Sequence, residues 1–237
     1  MRMSVCIPMY NENRVIAKTA KRLSSYMSEH FDDYEILFCN DGSTDGCDET
    51  VKALDLPHVR VIGYSQNRGK GHAVRTAMLE ATGDIRIFTD SDLAYGTDVI
   101  TEIAETFAKN PDAELVIGSR NLRSDGYEGY TWLRRVASKL YIRVLCVAGG
   151  FRLSDSQCGC KAFSKKAAES IFPRCEVNGF AFDFEAILWA VKYRYRIVEM
   201  PVRVLCHGNS KVKIVRDTWR MLRDLRKMKK RIREEKI

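Results

Sequence analysis

Asp90 and Asp92 stand two residues apart in Thr89-Asp90-Ser91-Asp92, directly after the apolar run 85–88. If a strand ends and the chain turns there, both carboxylates can converge on one hard cation. Oxygen ligands of this kind suit Mg²⁺ or Mn²⁺, which keep coordination positions open for substrate phosphates. An Asp-x-Asp pair also occurs in ordinary surface turns, so its meaning depends on its neighbours.

Those neighbours follow from an alternation of short apolar runs and helical patterns. Strands are expected at 4–9, 34–39, 59–64, 85–89 and 113–118, with helices at about 13–30, 45–54, 70–82 and 97–109. Short apolar strands separated by helices imply an α/β fold, a mostly parallel central sheet with helices on both faces. Such sheets bind ligands beyond the carboxyl ends of their strands. Polar residues gather there: Tyr10-Asn11-Glu12, Asn40-Asp41-Gly42-Ser43, Asn67-Arg68-Gly69-Lys70-Gly71, the Asp90/Asp92 pair, and Ser119-Arg120. Five such strand ends in succession point to a nucleotide site.

Asn67-Arg68-Gly69-Lys70-Gly71 opens a helix. Its glycines permit close backbone approach, a helix N-terminus favours anions, and Lys70 adds a point charge. The spacing of a Walker loop is absent. A carboxylate at Asp41 can accept the imide N–H of uracil or bind a ribose hydroxyl. With Asp45 or Ser43 capping the next helix, Asp41 is left for ligand.

The second half is less regular. Residues 132–148 carry apolar pairs every four residues, with Arg134, Arg135, Lys139 and Arg143 on other faces, which predicts an amphipathic helix with a basic side. A helix at about 183–195 and a strand at about 197–205 follow. A last helix at about 212–233 aligns Ile214, Met221, Leu225, Met228 and Ile232. The net charge of +8 lies entirely in the tail, where twelve Lys and Arg from Lys211 onward face four Asp and Glu. A tail of this kind needs an anionic partner or a solvated role. A nucleic-acid partner is not expected, since no nucleic-acid-binding fold or aromatic platform accompanies it.

At 237 residues the chain can bury a sizeable core. No run reaches the length of a membrane span, and the first residues lead straight into a strand pattern, so no signal peptide is expected. The eight cysteines are scattered without zinc spacing. Buried thiols in a reducing cytoplasm fit them best.

Pro8-x-Tyr10-Asn11-Glu12, the Asn40–Gly46 segment, Asn67-x-Gly69-Lys70-Gly71 and Thr89-Asp90-Ser91-Asp92-Leu93 together resemble the ordered motifs of family 2 inverting glycosyltransferases with a GT-A fold. Farther on, Asp155-Ser156-Gln157-Cys158-Gly159-Cys160-Lys161-Ala162-Phe163, Phe182-Asp183-x-Glu185 and Gly208-Asn209-Ser210-Lys211 are similar to polyprenyl-phosphate sugar synthases, in the form closest to dolichyl-phosphate β-glucosyltransferases. The resemblance implies a catalytic domain over 1–210, with 1–120 for the nucleotide sugar and 121–210 for the acceptor, followed by a basic amphipathic helix over 211–237. It implies that Pro8, Tyr10, Glu12 and Asp41 hold base and ribose, and that Asp90 and Asp92 carry Mg²⁺ or Mn²⁺ on the donor diphosphate. Lys70, Arg120 and Lys211 would offset phosphate charge.

The implied reaction moves a sugar, glucose from UDP-glucose being favoured, to a polyprenyl phosphate. A phosphate nucleophile is already ionised near neutral pH, so positioning by Arg120, Arg134 and Ser210-Lys211 would suffice. A glycan hydroxyl acceptor would instead require a base, Asp155 or Asp183. Asp183 could equally cap its helix. A non-catalytic nucleotide-sugar-binding module is a third reading. Many relatives carry transmembrane helices, and none is expected here. The helix near 132–148 and the tail helix are expected at the cytoplasmic face of a membrane, with apolar stripes inserted and cations at head groups. The tail could also meet a membrane-embedded partner subunit or a second copy of the chain.

Overall fold

The computed structural model describes residues 1–126, 132–205, 225 and 227–235. Seven strands form one sheet in the order β3-β2-β1-β4-β6-β5-β7. The parallel core comprises β1 (Met3–Met9), β2 (Tyr34–Asp41), β3 (Val59–Tyr64) and β4 (Ile85–Phe88). On the other side β5 (Ala113–Ser119) and β7 (Arg196–Pro201) run parallel to each other. Between the two groups lies β6 (Lys161–Ser164), antiparallel to both β4 and β5.

The chain runs outward from β1 through β2 to β3, then returns across β1 to β4. This reversal opens a crevice between the carboxyl ends of β1 and β4, the place where open α/β sheets bind ligands. Both strands are buried on both faces, as their near-continuous apolar sequences require.

Helices α1 (Asn13–His30), α2 (Cys47–Lys52) and α4 (Val99–Lys109) cover one face. The other face carries α3 (Lys70–Glu80), α6 (Lys165–Ile171) and α7 (Phe182–Lys192). The long helix α5 (Trp132–Gly149) turns only Ile142, Leu145 and Cys146 fully inward among its described side chains. Among the described residues no helix is long and apolar enough to cross a membrane.

The described part of the tail corrects one expectation. Leu225, Met228 and Ile232 are buried in the core cluster that holds α3 and α7. Lys229 donates to the Ala148 carbonyl (2.6 Å), and Arg174 pairs with Glu235 (3.2 Å). Burying three side chains of this size contributes roughly 5 kcal/mol. Inserting these three into a bilayer would forfeit this packing first, so Leu225, Met228 and Ile232 belong to the domain.

Candidate active site

β4 ends at Phe88, and the chain then turns tightly. Leu93 donates its N–H to the Asp90 carbonyl (3.0 Å) and adopts φ +47°, a left-handed conformation that a branched side chain rarely takes. Two contacts hold the turn: the Thr19 hydroxyl donates to the Ser91 carbonyl (2.6 Å), and the Thr89 N–H reaches the Cys6 carbonyl of β1 (3.2 Å). The turn brings the two carboxylates together. Burial, and then the charge of Asp90, push the Asp92 carboxyl above its ordinary value. Asp92 Oδ1 accepts the Ala94 N–H (3.1 Å), while its other oxygen takes no hydrogen bond among the described residues.

Lys70, the first residue of α3, places its ammonium on Asp90 Oδ1. Burial pulls the lysine's pKa down, yet Asp90, then Asp183 and Asp92, outweigh it, so the net shift is upward and Lys70 stays charged. On its other side Asp90 is crowded by backbone. A Cβ added to Gly159 would lie 2.5 Å from Asp90 Oδ2, and the Gly159 N–H donates to the Tyr95 hydroxyl (3.1 Å). Among the described residues no cluster of three His, Cys, Asp or Glu forms a complete metal cage. Two adjacent carboxylates with one lysine are short of positive charge and have hard oxygen donors to spare. That donor set fits a divalent cation completed by waters and phosphates.

The sequence left Asp41 for ligand, whereas the structure spends both of its oxygens on the chain. Asp41 is 3% exposed. Oδ1 accepts from the Tyr64 hydroxyl (2.7 Å) and the Arg68 N–H (2.8 Å), and Oδ2 from Asn67 Nδ2 (2.9 Å) and the Gly69 N–H (3.0 Å). Asp41 thus organises the loop that presents Lys70. The glycines of that loop are also used internally. The Gly71 N–H donates to the Asn178 carbonyl (2.8 Å), and a Cβ on Gly69 would come 2.5 Å from the same oxygen. The close approach expected of a phosphate is made by the backbone of residues 177–179.

Pro8 is buried in β1, while Tyr10 stands exposed at the rim. Glu12 caps α1 with its carbonyl, which accepts the N–H groups of Val15 and Ile16 (both 3.0 Å). The β1 and β2 loops are tied together, Asn11 N–H to Ser43 Oγ (3.1 Å) and Thr44 N–H to Asn11 Oδ1 (2.9 Å). The N-cap position of α2 is Gly46, which makes no side-chain cap bond; Asp45, one residue earlier, accepts the N–H of Cys47 (3.1 Å).

Two ion pairs reach the crevice from β5 and β6. Arg120 is 9% exposed, and its guanidinium grips Asp155 through Nε (2.6 Å) and a terminal nitrogen (2.9 Å). The phosphate contact expected of Arg120 and the base role considered for Asp155 therefore meet a pair already engaged with itself. Breaking such a pair strands a buried charge. Lys161, fully buried, donates to the Cys158 carbonyl (2.6 Å) and to Asp183 Oδ2 (3.0 Å). Asp183 Oδ1 is buried without a hydrogen-bond partner among the described residues. The cap expected of Asp183 is not made; the N-cap position of α7 is Ala181. Lys161 was not anticipated as a site residue. A lysine in a four-residue strand carries no strand signal, and only its pairing opposite Phe88 brings it to the crevice. Burial pushes the neighbouring Cys158 thiol up to about 11, so it is an inert packing group.

The α5 face, where the sequence places the acceptor, is built differently. Trp132 (71% exposed), Val136, Leu140 (62%), Val144 and Val147 (76%) form an apolar stripe along α5. Beside it a cavity of ≈ 490 Å³ is lined by Lys139, Arg143 and Arg152 over Ile142, Cys146 and Phe151. Among the described residues none of these three cations has an ion-pair or hydrogen-bond partner. Arg134 lies on α5 with its side chain outside the described part, and Ser210 and Lys211 lie outside the described residues.

The family model described as "Glycosyl transferase family 2" matches residues 4–172. A dolichyl-phosphate beta-glucosyltransferase of Saccharomyces cerevisiae is 30% identical over 94% of this chain and 72% of that protein. One from Trichomonas vaginalis is 30% identical over 88% of this chain, which spans 65% of its length. Among solved structures, the glucosyl-3-phosphoglycerate synthase of Mycobacterium tuberculosis in complex with Mn²⁺, uridine diphosphate and phosphoglyceric acid superposes with a TM-score of 0.74 at 19% identity. That match covers 100% of this chain and 80% of the other, and it demonstrates a shared GT-A fold.

Proposed function

The chain belongs to glycosyl transferase family 2, and we propose that it is a metal-dependent, inverting enzyme that moves glucose from UDP-glucose to a polyprenyl phosphate at a membrane surface. The observation that carries this reading is the Asp90–Asp92 pair with Lys70 on it, at the mouth of the β1/β4 crevice. The glucosyl donor and the lipid acceptor are supported by relatives named for dolichyl phosphate, and the metal and uridine by the superposed Mn²⁺ and uridine-diphosphate complex.

Asp90 and Asp92 would hold Mg²⁺ or Mn²⁺. Bound there, the ion stabilises negative charge on the departing nucleoside diphosphate. Lys70 adds a fixed ammonium beside the same phosphates. Tyr10 at the rim, with Pro8 and Glu12, frames the entrance for base and ribose. Asp41 acts mainly by holding the Arg68–Gly69 loop, and it reaches a base only where Tyr64 or that loop yields a hydrogen bond. Asp183 Oδ1 accepts a hydrogen bond from a sugar hydroxyl, because it is buried and has no partner among the described residues, while Oδ2 is held by Lys161. A lipid phosphate needs no base to become a nucleophile, which suits a crevice whose buried carboxylates are already engaged.

The exposed stripe of α5 and its cations form the acceptor-side surface, with the apolar side chains toward lipid and Lys139, Arg143 and Arg152 toward head groups. Arg134, Ser210 and Lys211 belong to this side as further phosphate-positioning groups. Arg120 contributes by bracing Asp155. A second reading keeps the donor side and replaces the lipid phosphate by a glycan hydroxyl; it is favoured by the unpartnered Asp183 oxygen, which would then take the hydroxyl proton.

Incubation with radiolabelled UDP-glucose, Mn²⁺ and a short polyprenyl phosphate separates the two. The lipid-acceptor reading expects organic-extractable, acid-labile label. Label that appears only in water-soluble glycan would establish the second reading instead.

A further inference from the structure

The pair of residues that clamps the tail to the body also reaches the loop behind Lys70. Glu185, fully buried on α7, accepts the N–H groups of Glu176 (3.0 Å) and Val177 (2.8 Å) through Oε2. Its Oε1 is taken by the Arg231 guanidinium, which also pairs with Glu176 and donates to the Arg174 carbonyl (3.3 Å). The segment held in this way continues into Asn178, whose carbonyl receives the Gly71 N–H (2.8 Å). The same carbonyl stands where a Cβ on Gly69 would collide, so the Gly69-Lys70-Gly71 backbone lies against it without slack. From the opposite side Asp41 holds the N–H groups of Arg68 and Gly69. Lys70 is thus fixed between two buried carboxylates, one of them neutralised from the tail.

We infer that Arg231 is a positioning residue for the nucleotide–metal site: by neutralising Glu185 it holds residues 176–178 against Gly69 and Gly71, and so sets Lys70 beside Asp90. This gives one residue of the basic tail a role inside the enzyme rather than toward an external anion. It rests on the proposed function only in naming the Lys70–Asp90 site as the place where nucleotide binds.

Without Arg231 the carboxyl of Glu185 stays buried and loses its counter-charge, so it must take a proton and weaken as an acceptor, or the loop it organises must open or hydrate. Adding Glu185→Gln removes the stranded charge and leaves an amide oxygen for the two backbone donors. Lys229, on the same helix but bonded to the Ala148 carbonyl, serves as control.

Two measurements test the inference together: amide hydrogen exchange, and affinity for UDP in Mn²⁺. Arg231→Met is expected to raise exchange at Glu176, Val177 and Gly71 and to weaken UDP binding about tenfold, the scale typical of groups that support a ligand set. The double variant R231M/E185Q is expected to recover most of both, and Lys229→Met to change neither. Should Arg231→Met fail to fold, the double variant and Arg231→Lys are read in its place; the lysine, with a single donor group, is expected to give an intermediate effect. Wild-type protection at Gly71 and unchanged UDP affinity in Arg231→Met would overturn the inference, as would an equal effect of Lys229→Met. A wild-type protein that binds no UDP in Mn²⁺ would count against the proposed function, while the exchange pattern would still decide the role of Arg231.

Discussion

The crevice at the ends of β1, β2 and β4 and the outer face of α5 are opposites in how they treat charge. In the crevice Asp41, Asp90, Asp155 and Asp183 each meet a backbone donor, a hydroxyl or a cation of the same chain. On α5 and its following loop, Lys139, Arg143 and Arg152 meet none among the described residues, and five apolar side chains face outward beside them. A pre-organised polar site suits a small ligand of defined shape, because little ordering has to occur on binding. An amphipathic face without a partner suits a ligand that supplies its own apolar phase. The difference is what a donor that is a nucleotide and an acceptor that is a lipid would each require.

The contrast breaks most severely at the carboxylate pair. Asp90→Asn or Asp92→Asn is expected to lower turnover by about 10²–10³-fold, the scale for removing one electrostatic stabiliser of developing charge. For Asp92→Asn the melting temperature should not fall, because a buried carboxylate beside Asp90 loses its charge; Asp90→Asn also removes the partner of Lys70 and is expected to lower it. Loss of stability without loss of turnover would mean that the pair is structural. Gly159→Ala tests pre-organisation without touching a charge. Its methyl would press on Asp90 Oδ2, and Mn²⁺ affinity measured by paramagnetic resonance titration is expected to fall about tenfold.

On the other face, Leu140→Glu is expected to weaken binding to anionic vesicles by about tenfold, equivalent to exposing one aliphatic side chain to water. Its melting temperature should hold, since the leucine is already 62% exposed. Unchanged vesicle binding would remove α5 from the acceptor side. The smallest effect on turnover belongs to Glu35, at the far end of β2 from the crevice. Burial pushes its pKa up, but the Thr82 N–H, the Ser4 and Thr82 hydroxyls and Arg60 outweigh this and hold it at about 2. A group with a depressed folded pKa stabilises above its unfolded value and loses that contribution as pH falls through the folded one. Thermal stability of the wild type is therefore expected to drop between about pH 4.5 and pH 2, and Glu35→Gln to flatten that acid limb.

The same contrast explains what was legible in the sequence. Five strands and four helices of the donor half followed from apolar runs and helical patterns, because local periodicity and burial agree there. β6 did not. It is four residues long, begins with a lysine, and exists because β4 and β5 leave an antiparallel slot between them. The tail's apolar stripe was visible, but the side on which it packs was not, because Arg231 finds Glu185 46 residues away. Charge surplus argued for an outside partner, and a buried carboxylate inside proved the stronger attraction for that arginine. Asp41 stands out in the sequence as a ligand group, but only the fold shows its internal partners, the N–H groups of a loop 27 and 28 residues later.

The most direct test of the metal clamp is a calorimetric titration of the wild-type protein with UDP, once in Mn²⁺ and once in EDTA. A diphosphate site built on Asp90 and Asp92 predicts saturable binding in Mn²⁺ that is at least about tenfold weaker in EDTA. Equal affinity under both conditions, or no binding in Mn²⁺, would contradict it.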